Sequence, residues 1–128
     1  MKLLFDTHLL LWAITDDRRL SASARALMAD SGNECLYSAA SVWEVAIKNG
    51  VPKRSLGIPA EAFRREVEAA GFRPLAVSPA HAAAVESLPH LHEDPFDRIL
   101  LAQARAEGCA LLTADSVLSN SGEPVRKV

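Results

Sequence analysis

Short apolar runs alternate with longer segments of helical periodicity along this chain. Lys2 to Asp6 (KLLFD) is an apolar run that predicts a buried strand, and THLLLWAIT follows at once with the length and leucine content of a helix. Ser21 opens SASARALMADSG, a segment of good helix formers with Gly32 placed to stop it, and ECLY predicts a second strand. The next helix carries SVWEVAIKNG, capped by either Ser38 or Ser41 and ended at Gly50 ahead of Pro52.

Residues 51–58 (VPKRSLGI) are broken by Pro and Gly and read as a connection. Pro59 to Gly71 has the pattern of an amphipathic helix, Phe72 to Val77 predicts a third strand, and Ser78-Pro79 caps a helix over PAHAAAVESL. After the loop LPHLHE comes DPFDRILLAQARAEG, with Asp94 at the N-cap, Pro95 in the first helical position and Gly108 at the end. CALLTAD is a buried strand ending in an acid, and PVRKV predicts a last strand at the sheet edge. Strands alternating with helices imply a mostly parallel sheet with helices on both faces, and sites in such sheets gather at the carboxyl ends of the strands.

The chain has 128 residues, 49% hydrophobic and 23% charged, which suits one globular core, so residues 1–128 are expected to form a single domain. Asp6 and His8 interrupt the apolar N-terminal run before it reaches signal-peptide length, and no apolar stretch nears the roughly 20 residues a membrane helix needs. A soluble, cytoplasmic protein is expected. Cys35 and Cys109 lack the close partners of a zinc or redox site and read as small buried side chains. The net charge of −2 argues against a broad basic surface for nucleic acid, so bound cations would have to help hold such a substrate.

The acids carry the chemistry. Asp6 ends the first strand and Asp115 follows CALLT, and each can either serve a site or cap the helix after it. Glu44 lies in an apolar helix, where the alternative is an i,i+4 pair with Lys48 on the solvent side. Asp94 takes the N-cap of its helix and leaves Asp97, at the third helical position, as the better ligand. Converging carboxylates repel one another unless a cation compensates; Mg²⁺ or Mn²⁺ accepts such hard oxygens, and a bound ion can activate water toward a phosphodiester.

Four blocks, LLFDTHLLLW, SAASVWEVAIK, HEDPFDRILLAQA and LLTAD, resemble in order and spacing the PIN-domain family, specifically the bacterial VapC-like toxins. The resemblance implies a three-layer α/β/α sandwich and an endoribonuclease dependent on Mg²⁺ or Mn²⁺. Carried over by position, it implies metal-binding catalytic acids at Asp6, Glu44, Asp97 and Asp115, with Asp115 either a direct ligand or an indirect one. Thr7 and Thr113 sit where a hydroxyl helps position water or a ligand, and Asp94 assists from behind. Arg98 either steadies a carboxylate, contacts phosphate or makes an ordinary salt bridge. The family also implies an RNA substrate, a small cognate antitoxin covering the site, and a homodimer or dimer of dimers.

Other signals are weaker. His81, His90 and His92 can be drawn as a transition-metal cluster, and His8 as a proton carrier beside Asp6, although a residue two places on along a starting helix generally points elsewhere. Trp12 and Trp43 read as core or interface, and Leu9 to Trp12 and Val42 to Ile47 together hold more apolar surface than one helix side needs, which suggests a partner. An aspartyl-nucleophile phosphatase shares the α/β plan but wants a second acid where His8 stands. A non-catalytic binding module of the same fold is the other alternative.

Overall fold

A computed structural model describes residues 1–89 and 93–128. Its strands are β1 (Lys2–Phe5), β2 (Glu34–Ser38), β3 (Arg73–Leu75), β4 (Ala110–Thr113) and β5 (Val125–Lys127). Its helices are α1 (Thr7–Thr15), α2 (Ala22–Ala29), α3 (Ala39–Asn49), α4 (Ala60–Ala69), α5 (Pro79–Ala84), α6 (Pro95–Glu107) and α7 (Ser116–Ser119), with a 3₁₀ turn at Val85–Ser87.

The strands form one sheet in the order β3-β2-β1-β4-β5, and every pairing is parallel. Period-2 alternation explains why both faces are covered. Leu3, Phe5, Tyr37 and Leu112 face one core, which α1, α2, α3 and α4 close with Leu10, Ala24, Val45 and Phe63. Leu4, Leu36 and Leu111 face the other, closed by Leu88, Leu100, Leu101 and Leu118 from the α5–α7 side. The result is the expected three-layer α/β/α sandwich.

The winding has a consequence for the site. From β1 the chain passes outward through β2 to β3, returns across β1 to β4 and continues to β5, so the order reverses between β1 and β4. Right-handed crossovers then send the two halves to opposite faces and leave a crevice at the carboxyl ends of those two strands.

Several boundaries differ from the sequence reading. Ser38, not Ser41, caps α3, its hydroxyl oxygen accepting from the Ala40 N–H at 3.0 Å. α2 ends at Ala29 instead of running to Gly32, because the Asp30 carboxylate turns the chain by accepting from the Gly32 N–H. β3 is only Arg73–Leu75, and the helix at Pro79 tightens into the 3₁₀ turn at Val85. α7 was foreseen only as something Asp115 could cap. His90 and His92 lie outside the described residues, as does part of the LPHLHE loop. Among the described residues no helix is long and apolar enough to cross a membrane.

The apolar surplus is divided unevenly. Leu9, Leu10 and Leu11 are all buried, because α1 packs on the sheet and also on α4. The partner-facing expectation therefore fails for α1 and survives on α3, where Trp43 (57% exposed) and Ile47 (48%) stand in solvent. Cys109 is buried and Cys35 partly so; both are free thiols, with pKa values raised by burial.

Candidate active site

Asp6 is the first residue past β1, at the mouth of the crevice. Its N–H donates to the Leu112 carbonyl at 3.0 Å, which continues the β1–β4 ladder by one bond. Its carboxylate does two things at once. Oδ1 accepts from the Leu9 N–H at 2.9 Å as the N-cap of α1, and Oδ2 accepts from the Thr113 hydroxyl. Asp6 is buried, and that burial holds its pKa above the usual carboxylate value against the lowering effects of Thr113, the Leu9 N–H and His8.

Thr113 joins the two strand-end acids. While its hydroxyl donates to Asp6, its oxygen accepts from the Asp115 N–H at 2.9 Å. Asp115 is exposed and caps α7, accepting from the Val117 N–H at 2.8 Å. For Asp6 and Asp115, then, capping and placement at the crevice are not alternatives.

Glu44 is buried, at 4% exposure. Thr7 Oγ1 donates to its Oε1 at 2.6 Å, and the Lys48 ammonium lies 2.5 Å from Oε2. Ser41 Oγ stands 2.9 Å from Thr7 Oγ1; a hydroxyl has one proton, so with Thr7 donating to the carboxylate, Ser41 donates to Thr7. The pair with Lys48 exists, but not on the solvent side: the exposed strip of α3 is Ala39, Trp43, Ala46 and Ile47.

At the start of α6, Asp94 Oδ1 accepts from the N–H groups of Phe96 (2.8 Å) and Asp97 (3.3 Å). Pro95 fills the first helical position, where its missing N–H costs nothing. Asp97 is half-buried one turn in. Asp6, Glu44, Asp94, Asp97 and Asp115 line a single cavity of about 190 Å³, together with Thr7, His8, Trp12, Lys48 and Ala114.

The Arg98 guanidinium donates to the carbonyls of Val85 and Pro89, both at 3.0 Å, and so ties the entry of α6 to the 3₁₀ turn. His81 is buried as a structural group. It completes a capping box with Ser78, and its Nε2 lies 2.8 Å from Glu107 Oε2. His8, Trp12 and Lys48 are lining residues that sequence reasoning set aside. Lys48 had a signal, since a residue four places after Glu44 shares its helix face.

The donor set consists of hard oxygens, as Mg²⁺ and Mn²⁺ require. Among the described residues no three Asp, Glu, His or Cys side chains stand close enough to hold one ion directly. Oxygens spread around a small cavity, with Asp6, Glu44, Asp94 and Asp115 each accepting from a protein donor, fit an ion that keeps several of its waters, which is Mg²⁺ behaviour.

A parallel sheet wound both ways from a central strand, with acids gathered at the switch point, defines an α/β protein whose ligands bind at the strands' carboxyl ends. The sequence matches the PIN domain over residues 3–123, and the chain belongs to the PIN-domain family. In fold it is similar to a chain of VapBC2 from Rickettsia felis bound to a DNA fragment from their promoter, with a TM-score of 0.69, 16% identity and coverage of 100% of this chain and 99% of that one. A toxin–antitoxin complex from Klebsiella pneumoniae gives a TM-score of 0.67 at 19% identity, covering 97% and 95%. VapBC-1 from nontypeable Haemophilus influenzae gives 0.63 at 12%, covering 100% and 97%. No curated protein matches the sequence.

Proposed function

We propose that this chain is a Mg²⁺- or Mn²⁺-dependent endoribonuclease and the toxin of a toxin–antitoxin pair. The observation that carries the reading is the single cavity lined by Asp6, Glu44, Asp94, Asp97 and Asp115 at the switch point of a PIN domain. The toxin role draws support from fold neighbours that are themselves parts of toxin–antitoxin complexes.

Asp6, Glu44, Asp97 and Asp115 would hold the cation. When bound it supplies a lowered pKa for a coordinated water and neutralises charge on the leaving oxygen. Thr113 fixes Asp6 and Asp115 relative to one another, and Thr7 fixes Glu44. Asp94 orients the first turn of α6 and with it Asp97, while Arg98 anchors the segment leading into that turn. The N-terminal ends of α1 and α6 meet at this cavity, each capped by a carboxylate, so a phosphate there would rely on the cation for its positive charge.

An aspartyl-phosphate mechanism at Asp6 is disfavoured, since His8 stands where it wants a second acid and each Asp6 oxygen already accepts a hydrogen bond. In the toxin reading a small cytoplasmic antitoxin covers the cavity, and the protein forms a homodimer or dimer of dimers through apolar surface such as Trp43 and Ile47.

The test is cleavage of RNA by the purified chain with Mg²⁺, Mn²⁺ or EDTA. Cleavage is expected with either metal, and not with EDTA or with Asp6→Asn or Asp97→Asn. Activity that persists in EDTA or in both variants overturns the metal site. Growth arrest on expression, relieved by co-expression of a small neighbouring gene, tests the toxin role.

A further inference from the structure

We infer that Lys48 is an internal counter-ion for Glu44, standing in the cavity in place of a divalent cation and giving way when one binds. The inference rests on the reading that this cavity takes such a cation.

Five carboxylates surround about 190 Å³, and Lys48 is the single Lys or Arg among the residues lining it. Its ammonium lies 2.5 Å from Glu44 Oε2, with the Lys48 side chain 21% exposed and that of Glu44 5%. A carboxylate this buried is costly without a partner, so the cation-free fold relies on the lysine. An ammonium at this place supplies one positive charge where the proposed ion supplies two.

The two partners are held differently, and that difference makes the lysine the one that moves. Glu44 sits on a buried helix face, and its other oxygen is fixed by Thr7 at 2.6 Å. Lys48 is a compact charge on a flexible four-carbon stem, and the Phe96 ring lies 5.8 Å from its ammonium, within range of a cation–π contact at the start of α6. Glu44 thus keeps its position when the ammonium swings away. Because ammonium and cation repel, Lys48 weakens cation binding while it stabilises the cation-free protein.

Mn²⁺ titrations by calorimetry on the full chain, with thermal melts in EDTA, test the inference. Lys48→Met is expected to bind Mn²⁺ on the order of tenfold more tightly than wild type, as for one like charge removed from a partly screened site, and to melt lower in EDTA. Lys48→Gln keeps an amide donor for Glu44 without the charge; it is expected to bind more tightly with a smaller loss of melting temperature. Adding Glu44→Gln to Lys48→Met is expected to restore most of the melting temperature lost in EDTA, which a packing role for the lysine stem would not do. Unchanged or weaker Mn²⁺ affinity in both lysine variants, with wild type binding normally, overturns this inference alone. Absence of Mn²⁺ binding by wild type overturns it together with the metal reading.

Discussion

Two buried polar networks stand on neighbouring strand tips and are built on opposite plans. At the end of β2, the Ser38 hydroxyl donates to Gln103 Oε1 at 2.5 Å and accepts from the Ala40 N–H, while Gln103 Nε2 donates to the Ala76 carbonyl at 3.2 Å. All of its members are neutral, and Ser38 and Gln103 are fully buried. One strand over, the Asp6–Thr113 pair and the adjoining set of Thr7, Ser41, Glu44 and Lys48 carry charge and border a cavity. The first locks α6 to the tips of β2 and β3. The second holds carboxylates where water is scarce, a cost that Lys48 offsets at Glu44 and that a bound cation would offset further. Architecture and chemistry thus use the same hydrogen-bonding groups, and charge separates them.

Substitutions should therefore dissociate stability from activity in opposite senses. The largest effect is expected from Asp6→Asn: RNA cleavage falls on the order of a thousandfold, the equivalent of about 4 kcal/mol of transition-state stabilisation. Its melting temperature in EDTA nevertheless does not fall, since Asn still accepts from Leu9 and no charge is buried. A drop of melting temperature alongside activity would erase the contrast between the networks.

Next comes Gln103→Ala, which leaves the buried Ser38 hydroxyl without its acceptor and takes a donor away from the carbonyl of the exposed Ala76. Urea unfolding should show a loss of about 1 to 3 kcal/mol, with the folded fraction still cleaving RNA. A loss below about 1 kcal/mol would mean that this network contributes little to the architecture. Thr113→Val removes one hydroxyl from the charged network and leaves the shape alone. Cleavage should fall about 10- to 100-fold, as for a group that orients a metal ligand; an unaltered rate would deny Thr113 that role.

The smallest effect concerns pH. Because folding raises the Asp6 pKa, the folded state binds more protons than the unfolded one between about pH 4 and that raised value. Stability in EDTA should then decline as pH rises through this window, and the decline should be missing from Asp6→Asn. Parallel pH profiles for the two proteins would contradict the burial argument.

Local signals told most of the fold. α6 was legible at both ends because Asp94, Pro95 and Gly108 act through their own backbone neighbours. β1 and β4 were legible as apolar runs each followed by an acid. α7 was not, since four residues have no periodicity to read, and α2's early end depends on one Asp30 side chain turning back on the chain. All five acids of the cavity could be singled out from the sequence, Asp94 and Asp97 at a helix start where acids are ordinary. What composition and spacing could not give is their meeting, which depends on strand order. Lys48 shows the limit best: its partner was predicted correctly and its surroundings were not, because helix spacing fixes neighbours along α3 but not which side α6 covers.

The Asp6–Thr113 bond spans 107 positions of sequence and joins the end of β1 to the end of β4. A growing chain displays Asp6 early, yet lacks the central strand's second neighbour until β4 emerges. Pairings this remote form late and slowly. If the cavity cleaves RNA, the cleaving site cannot assemble on a growing chain before β4 has been made, however early Asp6 leaves the ribosome.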